Sequence, residues 1–330
     1  RRMGFVGEES SGFIRLAYFG MKKKLPKLIV ILGPTAGGKT SWSLKLAQKF
    51  DGRVISADSR QIYKKMDIGT AKAKGEWRRN GLKQAYYVEG VPHYLIDFLD
   101  PGKHFSVAEF KDKAITHIRA THRAKKIPIL VGGTGLYISS VVDNFSIPRV
   151  PGNTTLRRSL EEKTNEELIA LLRRMDPEAA LNIDQRNKRR VIRALEVCIL
   201  SGGSFSDQRQ KGEPLFDVLE IGPRVPREIL HARISERVDS MIEKGLLDEI
   251  QKLISRKYGW SLSSMNGIGY RQFKDYFEAK ETLTEAVEIL KRDTRRFARR
   301  QMTWFKRDTR IQWVDSYEDC ERLVEEFLKS

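Results

Sequence analysis

The 330-residue chain carries 61 lysines and arginines against 43 aspartates and glutamates, a formal charge of +18. That length supports one large or two smaller domains without covalent staples; the two cysteines, Cys198 and Cys320, fit neither a disulfide framework nor a zinc spacing, and the scattered histidines form no metal pattern. No apolar run approaches the ~20 residues of a membrane span, so the chain is expected in a reducing cytoplasm, and its positive excess points to a polyanionic macromolecule as partner.

Arg1 to Gly20 shows no clear period and reads as a disordered extension; its apolar stretch Phe13 to Phe19 is short and carries Arg15, unlike a signal peptide. The run Leu28 to Leu32 is a buried strand feeding into Gly33, Pro34, Thr35, Ala36, Gly37, Gly38, Lys39 and Thr40, with a helical pattern from Ser41 to Phe50. Strand, G-x-x-x-x-G-K-T loop and helix make a polyphosphate cradle: glycines turn backbone N–H groups inward, Lys39 adds charge, and the Thr40 hydroxyl can hold Mg²⁺.

A second strand, Arg53 to Ser56, runs into Asp58, Ser59, Arg60 and Gln61. Ligands of open α/β sheets lie outside the carboxyl ends of the strands, which puts Asp58 on the rim of the phosphate loop as a candidate base. Capping of the following turn is an equal use for such an aspartate. Met66 to Lys74 reads as a loop placed to reach over the ligand. Phe105 to Ala120 is helical, and the strand Ile127 to Val131 ends in Gly132, Gly133, Thr134 and Gly135. Motor ATPases carry an Mg²⁺-directing aspartate there, and no guanine-reading N-K-x-D occurs, which argues against an ATPase and a GTPase.

From Asp143 the alternation of strand and helix stops, and Pro148, Pro151 and Gly152 mark a boundary. Leu156 to Lys163, Asn165 to Met175 and Asp184 to Leu200 carry apolar stripes at helical spacing. The run Arg186 to Arg193 is either a solvated face or a grip on a nucleic-acid backbone. After a polar hinge from Ser201 to Glu213, Phe216 to Ile221 is a strand and Arg227 to Ile242 a helix with Arg233 and Arg237 four apart on one face. Those two arginines suit a pyrophosphate, with ion pairs to Glu236 or Asp239 as the competing use. Asn266 to Gln272 is a glycine-broken turn. A long helix, Leu283 to Arg307, sets Leu290, Phe297 and Trp304 against a basic face of Arg292, Arg295, Arg296, Arg299 and Arg300. The expected fold is α/β: a P-loop NTPase-like parallel sheet flanked by helices over 21–143 and 213–330, with a small all-helical domain inserted over 144–212.

Seven ordered blocks, GPTAGGKT at Gly33, SADSRQIYKKMDIGTAK at Ser56, VGGTGLY at Val131, RALEV at Arg193, RISERVDSM at Arg233, GIGYRQ at Gly267 and TRRFARRQMTWF at Thr294, resemble the tRNA dimethylallyltransferase family. The resemblance implies transfer of a dimethylallyl group from dimethylallyl diphosphate to N6 of the adenosine 3′ of the tRNA anticodon. The P-loop then holds the diphosphate of an isoprenoid, with Mg²⁺ on Thr40, and Asp58 is the general base. Arg237 is the catalytic arginine and Arg233 a second diphosphate contact. By the same comparison Asp58, Ser59, Arg60 and Gln61, Thr134, Arg157, the segment Arg189, Arg190, Val191, Ile192 and Arg193, and the segment Asn266, Gly267, Ile268, Gly269, Tyr270 and Arg271 contact tRNA. A cytoplasmic monomer of the bacterial type is expected. Ala73 stands where a proline commonly follows the TAK triplet, and Asn80 to Glu89 reads as an insertion. A P-loop nucleotide or small-molecule kinase, and an RNA-binding protein whose loop only grips phosphate, are the competing readings.

Overall fold

A computed structural model describes residues 24–80 and 83–330; the extension expected over residues 1–20 lies outside them. Its strands are β1 (Lys27–Leu32), β2 (Gly52–Ser56), β3 (Glu76–Asn80), β4 (Lys83–Val88), β5 (Val91–Tyr94), β6 (Ile127–Gly132), β7 (Asp217–Pro223) and β8 (Gln312–Val314). They form one sheet in the order β3-β4-β5-β2-β6-β1-β7-β8. From β5 to β8 every neighbouring pair is parallel, whereas β3, β4 and β5 pair antiparallel at the edge.

The helices of the sheet region are α1 (Lys39–Lys49), α2 (Val107–Arg123) and α3 (Gly135–Val142). Those that follow are α4 (Thr154–Glu161), α5 (Asn165–Met175), α6 (Pro177–Asn182), α7 (Lys188–Ser201), α8 (Arg227–Glu243), α9 (Leu246–Ser255), α10 (Lys274–Phe277), α11 (Leu283–Phe305) and α12 (Tyr317–Lys329). Because β1 is covered on both faces, it reads as a continuous apolar run. Leu28, Val30 and Leu32 pack with Phe110, Ala114 and Ile118 of α2 and Ile138 and Val141 of α3. Ile29 and Ile31 meet Leu46 and Ala47 of α1 and Cys320 and Val324 of α12.

The chain passes from β1 to β2 two places away, with β6 filling the gap, and later recrosses β1 to reach β7. That reversal opens a crevice at the carboxyl ends of β1, β2 and β6. Helix α1 starts at Lys39, inside the glycine loop and two residues before the expected Ser41, because Gly38 caps it in the left-handed region at φ +92°. The edge strands β3 and β4 were not expected; only an insertion from Asn80 to Glu89 was read there. Their sequence is polar and lacks a clean two-residue alternation, and their pairing is set by contact with β5.

Between α3 and β7 the chain leaves the sheet, and α4 to α7 bury a core of their own, including Leu160, Leu168, Leu172, Val191 and Leu195. Side-chain caps from Asn153, Thr164, Asp176 and Asn187 start these four helices. The outgoing and returning strands of chain run side by side: Ser146 N donates to the Gln210 carbonyl at 2.8 Å and Asn144 Nδ2 to that of Glu213 at 2.8 Å. Among the described residues, no helix is long and apolar enough to cross a membrane.

Candidate active site

The glycine loop closes on itself through Gly37 N donating to the Pro34 carbonyl at 3.2 Å. Lys39 Nζ donates to that same carbonyl at 2.6 Å, so the ammonium is held across the loop mouth. Burial, with a smaller contribution from the Arg237 charge, lowers its pKa to about 8, against the opposing pull of Asp58. An anion entering the loop would reverse that depression. The Thr40 side chain is exposed beside it.

Helix α8 delivers Arg237. Its Nη1 donates to Thr35 Oγ1 at 3.1 Å, and burial depresses its pKa. The competing ion pairs are not made: Asp239 binds Lys291 at 2.7 Å, and among the described residues neither Glu236 nor Asp239 pairs with Arg237. Among the described residues Arg237 is therefore a half-buried cation bound only to a hydroxyl, a geometry suited to an incoming anion. Arg233, one turn earlier, is exposed.

Asp58 stands one residue beyond Ala57, whose N–H donates to the Val131 carbonyl at 2.7 Å and so extends the β2–β6 ladder. Both uses open for it are compatible, because they employ different oxygens. Oδ1 accepts from Arg60 N at 2.8 Å and Gln61 N at 3.2 Å, the turn-capping pattern. Oδ2 has no partner among the described residues, leaving one lone-pair face for substrate. Thr134 lies alongside: its Oγ1 accepts from Ser59 N at 3.1 Å, and its own N–H donates to the Ala57 carbonyl at 3.2 Å.

The glycines at the end of β6 have a steric reason. A Cβ on Gly132 would strike the Ala57 carbonyl, one on Gly133 the Gln301 carboxamide, and one on Gly135 the Trp304 ring. The strand end is thus pressed between the Asp58 turn and α11.

Some of the residues expected to contact tRNA border this rim and others are buried away from it. Arg60 crosses to the Ser263 carbonyl at 2.5 Å, bringing the Asp58 turn against the segment from Asn266 to Arg271. Within that segment Asn266 and Arg271 are exposed, but Tyr270 is a core side chain, 1 % exposed, whose hydroxyl donates to Glu249 at 2.7 Å. Val191 and Ile192, expected at the interface with Arg189 to Arg193, are buried in the core of the inserted helices. All three side chains are buried where contact was expected: Val191 and Ile192 are inward-facing helical neighbours of exposed or half-exposed arginines, and Tyr270 packs inward from a turn, so a segment-wide assignment carries them along. The Gln61 carboxamide donates to the Thr70 and Ala71 carbonyls, at 3.2 and 3.3 Å, rather than facing the crevice.

The loop from Met66 to Lys74, expected to reach over the ligand, is pinned instead. Glu249 accepts from the N–H groups of Asp67, Ile68 and Gly69 at 2.7, 2.8 and 3.1 Å. From the other side the buried Lys72 ammonium binds Asp97 at 2.7 Å and the Tyr63 carbonyl at 2.6 Å. A Cβ on Gly69 would meet the Tyr270 ring, so the loop is packed as well as bonded.

Arg157 and Arg193 share one partner that the sequence reading passed over, Glu196. Its fully buried carboxylate takes Arg157 Nε at 2.9 Å and Nη2 at 2.8 Å, Arg193 Nη1 at 2.6 Å and Asn153 N at 2.6 Å. Burial alone would raise its pKa, but these hydrogen bonds outweigh it and hold the carboxyl below the usual range. On α11 the buried line is Leu290, Thr294, Ala298, Gln301 and Phe305, so Phe297 and Trp304 flank the core as half-buried side chains. Gln301 was missed because it sits in an arginine-rich stretch; its place on that line, three residues after Ala298, was the available signal.

Known proteins are similar to this chain over most of its length. The family model "IPP transferase" matches residues 61–308, and the model "Isopentenyl transferase" matches residues 26–91. The tRNA dimethylallyltransferase of Carboxydothermus hydrogenoformans is 44% identical over 92% of this chain and 96% of its own. That of Roseiflexus castenholzii is 46% identical over 85% and 90%. Among solved structures, the tRNA isopentenylpyrophosphate transferase of Bacillus halodurans superposes with a TM-score of 0.67 at 39% identity, covering 92% of this chain and 95% of that one. A eukaryotic dimethylallyltransferase acting on tRNA gives 0.72 at 29% identity, covering 88% of this chain and 74% of that one. The chain belongs to the IPP transferase family of tRNA dimethylallyltransferases.

Proposed function

We propose that the crevice transfers a dimethylallyl group from dimethylallyl diphosphate to N6 of the adenosine 3′ of a tRNA anticodon. The observation that carries this reading is the pairing, on one rim, of a diphosphate cradle with a carboxylate that keeps one oxygen free. The allylic C–O bond breaks as charge builds on the diphosphate. The loop N–H groups, Lys39 and Arg237 are arranged to hold that charge, with the exposed Arg233 as a second contact. The adenine amine is a weak nucleophile while its lone pair is shared with the ring. Asp58 Oδ2 accepts its proton as the new C–N bond forms, and Thr134 lines the same face.

Mg²⁺ fits this site: the Thr40 hydroxyl is exposed and makes no hydrogen bond to another described residue, and Mg²⁺ commonly takes few protein ligands beside phosphate oxygens. When bound it would neutralise part of the diphosphate charge. The base must leave the anticodon stack to reach Asp58. Arg60, Asn266 and Arg271 border the crevice, and Arg157, Arg189, Arg190 and Arg193 present the inserted helices to the tRNA backbone. The protein acts as a cytoplasmic monomer in this account.

Incubation with tRNA and radiolabelled dimethylallyl diphosphate tests it. Label is expected in the tRNA and is expected to vanish when the target adenosine is replaced by guanosine. No label on tRNA under any condition would sink the proposal.

A further inference from the structure

Three elements meet at one side chain that none of the chemistry above uses. Gln301 is 7 % exposed on α11, and its carboxamide spans the diphosphate loop and the turn after β6. Oε1 accepts from Thr35 N at 2.8 Å, and Nε2 donates to the Gly133 carbonyl at 2.8 Å. The orientation of the amide is fixed by its partners, since an N–H must face oxygen and a carbonyl must face NH₂. Gly133 has no room for a side chain because the Gln301 amide occupies that space, and the Gly33 carbonyl lies 3.3 Å from where its Cβ would stand. The two loops therefore touch, and one amide stitches them together.

Thr35 is a junction. Its N–H is held by Gln301 and its hydroxyl by Arg237, while Gly133 precedes Thr134, which binds the backbone of the Asp58 turn. Holding Thr35 and Gly133 at one separation thus fixes the diphosphate side relative to the base side. The carboxamide donates and accepts from one terminal group: glutamate keeps the bond from Thr35 N but opposes the Gly133 carbonyl with a charge, and methionine keeps the shape and makes neither bond. We propose that Gln301 is a positioning residue that sets the distance between leaving group and nucleophile. It acts through Thr35 and Thr134 without touching substrate, and the proposal rests on the transferase reading given above.

In that role its loss must appear in the chemical step. Misplacement of reacting groups by about 1 Å costs on the order of 10²-fold in rate. Gln301→Glu and Gln301→Met are therefore expected to lower the single-turnover transfer rate roughly 30- to 100-fold, while the KM for dimethylallyl diphosphate and the Kd for tRNA stay within about threefold. Because the effect passes through Thr134, Gln301→Glu is expected to cost several-fold less in a Thr134→Ala background. Thermal melts and single-turnover amplitudes report the folded, active fraction and separate misfolding from mispositioning. Wild-type rates in both variants, a loss confined to either substrate's affinity, or full additivity with Thr134→Ala would overturn the assignment. Absence of transfer by the wild-type protein would instead overturn the proposed function.

Discussion

Arg237 of the sheet core and Arg157 and Arg193 of the inserted helices are used in opposite ways. In the core, Arg237 meets no carboxylate among the described residues and rests on the Thr35 hydroxyl. In the insertion, Arg157 and Arg193 converge on the buried Glu196. A guanidinium left without a counter-charge is ready for a mobile anion whose charge grows during reaction, so its value lies in the transition state. A guanidinium fixed by an internal carboxylate is pre-shaped, and what remains exposed contributes geometry to docking more than net charge. In the proposed function the two regions thus divide the work into chemistry and recognition.

The largest expected effect lies at the centre of the core. Asp58→Ala should lower the single-turnover transfer rate by ~10³-fold or more, within the usual range for loss of a general base, and leave the tRNA Kd nearly unchanged. Equal losses in rate and affinity would make the carboxylate a docking group and erase the division. Next, Arg237→Ala should reduce kcat/KM for dimethylallyl diphosphate by ~10²- to 10³-fold, the scale for one lost oxyanion donor. Arg237→Lys should recover only part, because an ammonium cannot hold Thr35 and an anion in the fixed fork of a guanidinium.

Lys39 gives a smaller, pH-dependent effect. Its depressed pKa of about 8 means that bound diphosphate, by favouring the charged form, raises that pKa and draws a proton from solution near pH 8. Calorimetric titration with pyrophosphate in buffers of different ionisation enthalpy should show proton uptake, and affinity should weaken as pH rises through 8. Binding without proton uptake between pH 7.5 and 8.5 would show that Lys39 is not held against the anion.

On the other side of the comparison, Glu196→Gln should weaken tRNA binding by roughly 5- to 30-fold, a coupling typical of a lost buried charge pair's geometry, with the transfer rate at saturating tRNA unaltered. A change in that rate would mean that the insertion takes part in the chemistry. The depressed pKa of Glu196 also has a sign: its stabilising contribution is complete above the ordinary carboxylate range and is lost as pH falls through the lower folded value.

An effect on stability alone, with no expected change in transfer, inverts that sign. Glu220, buried in β7 3.6 Å from Arg310 Nε, has its pKa raised to about 7 by burial first and then by Asp308 and Asp143, against the pull of Arg310. The unfolded chain releases this proton near 4.5 and the folded one near 7, so stability falls across that interval and is about 3 kcal/mol lower above it. Glu220→Gln should raise the melting temperature at pH 8 and leave it nearly unchanged at pH 5. The reverse pattern would show that the carboxylate is stabilised as an anion.

How far the sequence carried follows from the range of each interaction. The P-loop, Asp58 and the helices of the insertion are specified by neighbours within a few residues, and they were legible. The pinning of the loop from Met66 by Glu249 and the partnership of Arg157 with Glu196 join residues that are distant in sequence, and no local pattern announces them. The edge strands β3 and β4 pair with each other close in sequence, but their polar residues carry no clean two-residue alternation to mark them. Burial divided the tRNA-contact segments residue by residue: Arg189 is exposed while Val191 is not, because a helix turns its faces every residue. Gln301 was hidden for a related reason, its hydrogen-bond partners lying 266 and 168 residues away.

The central claim is that one rim breaks the allylic diphosphate only as it alkylates adenine. Parallel measurement of pyrophosphate release and tRNA alkylation, with adenosine or guanosine 3′ of the anticodon, tests that most directly. The account predicts one pyrophosphate released for each adenosine alkylated, and neither product with the guanosine tRNA. Pyrophosphate released from dimethylallyl diphosphate at an equal rate with either tRNA would contradict it.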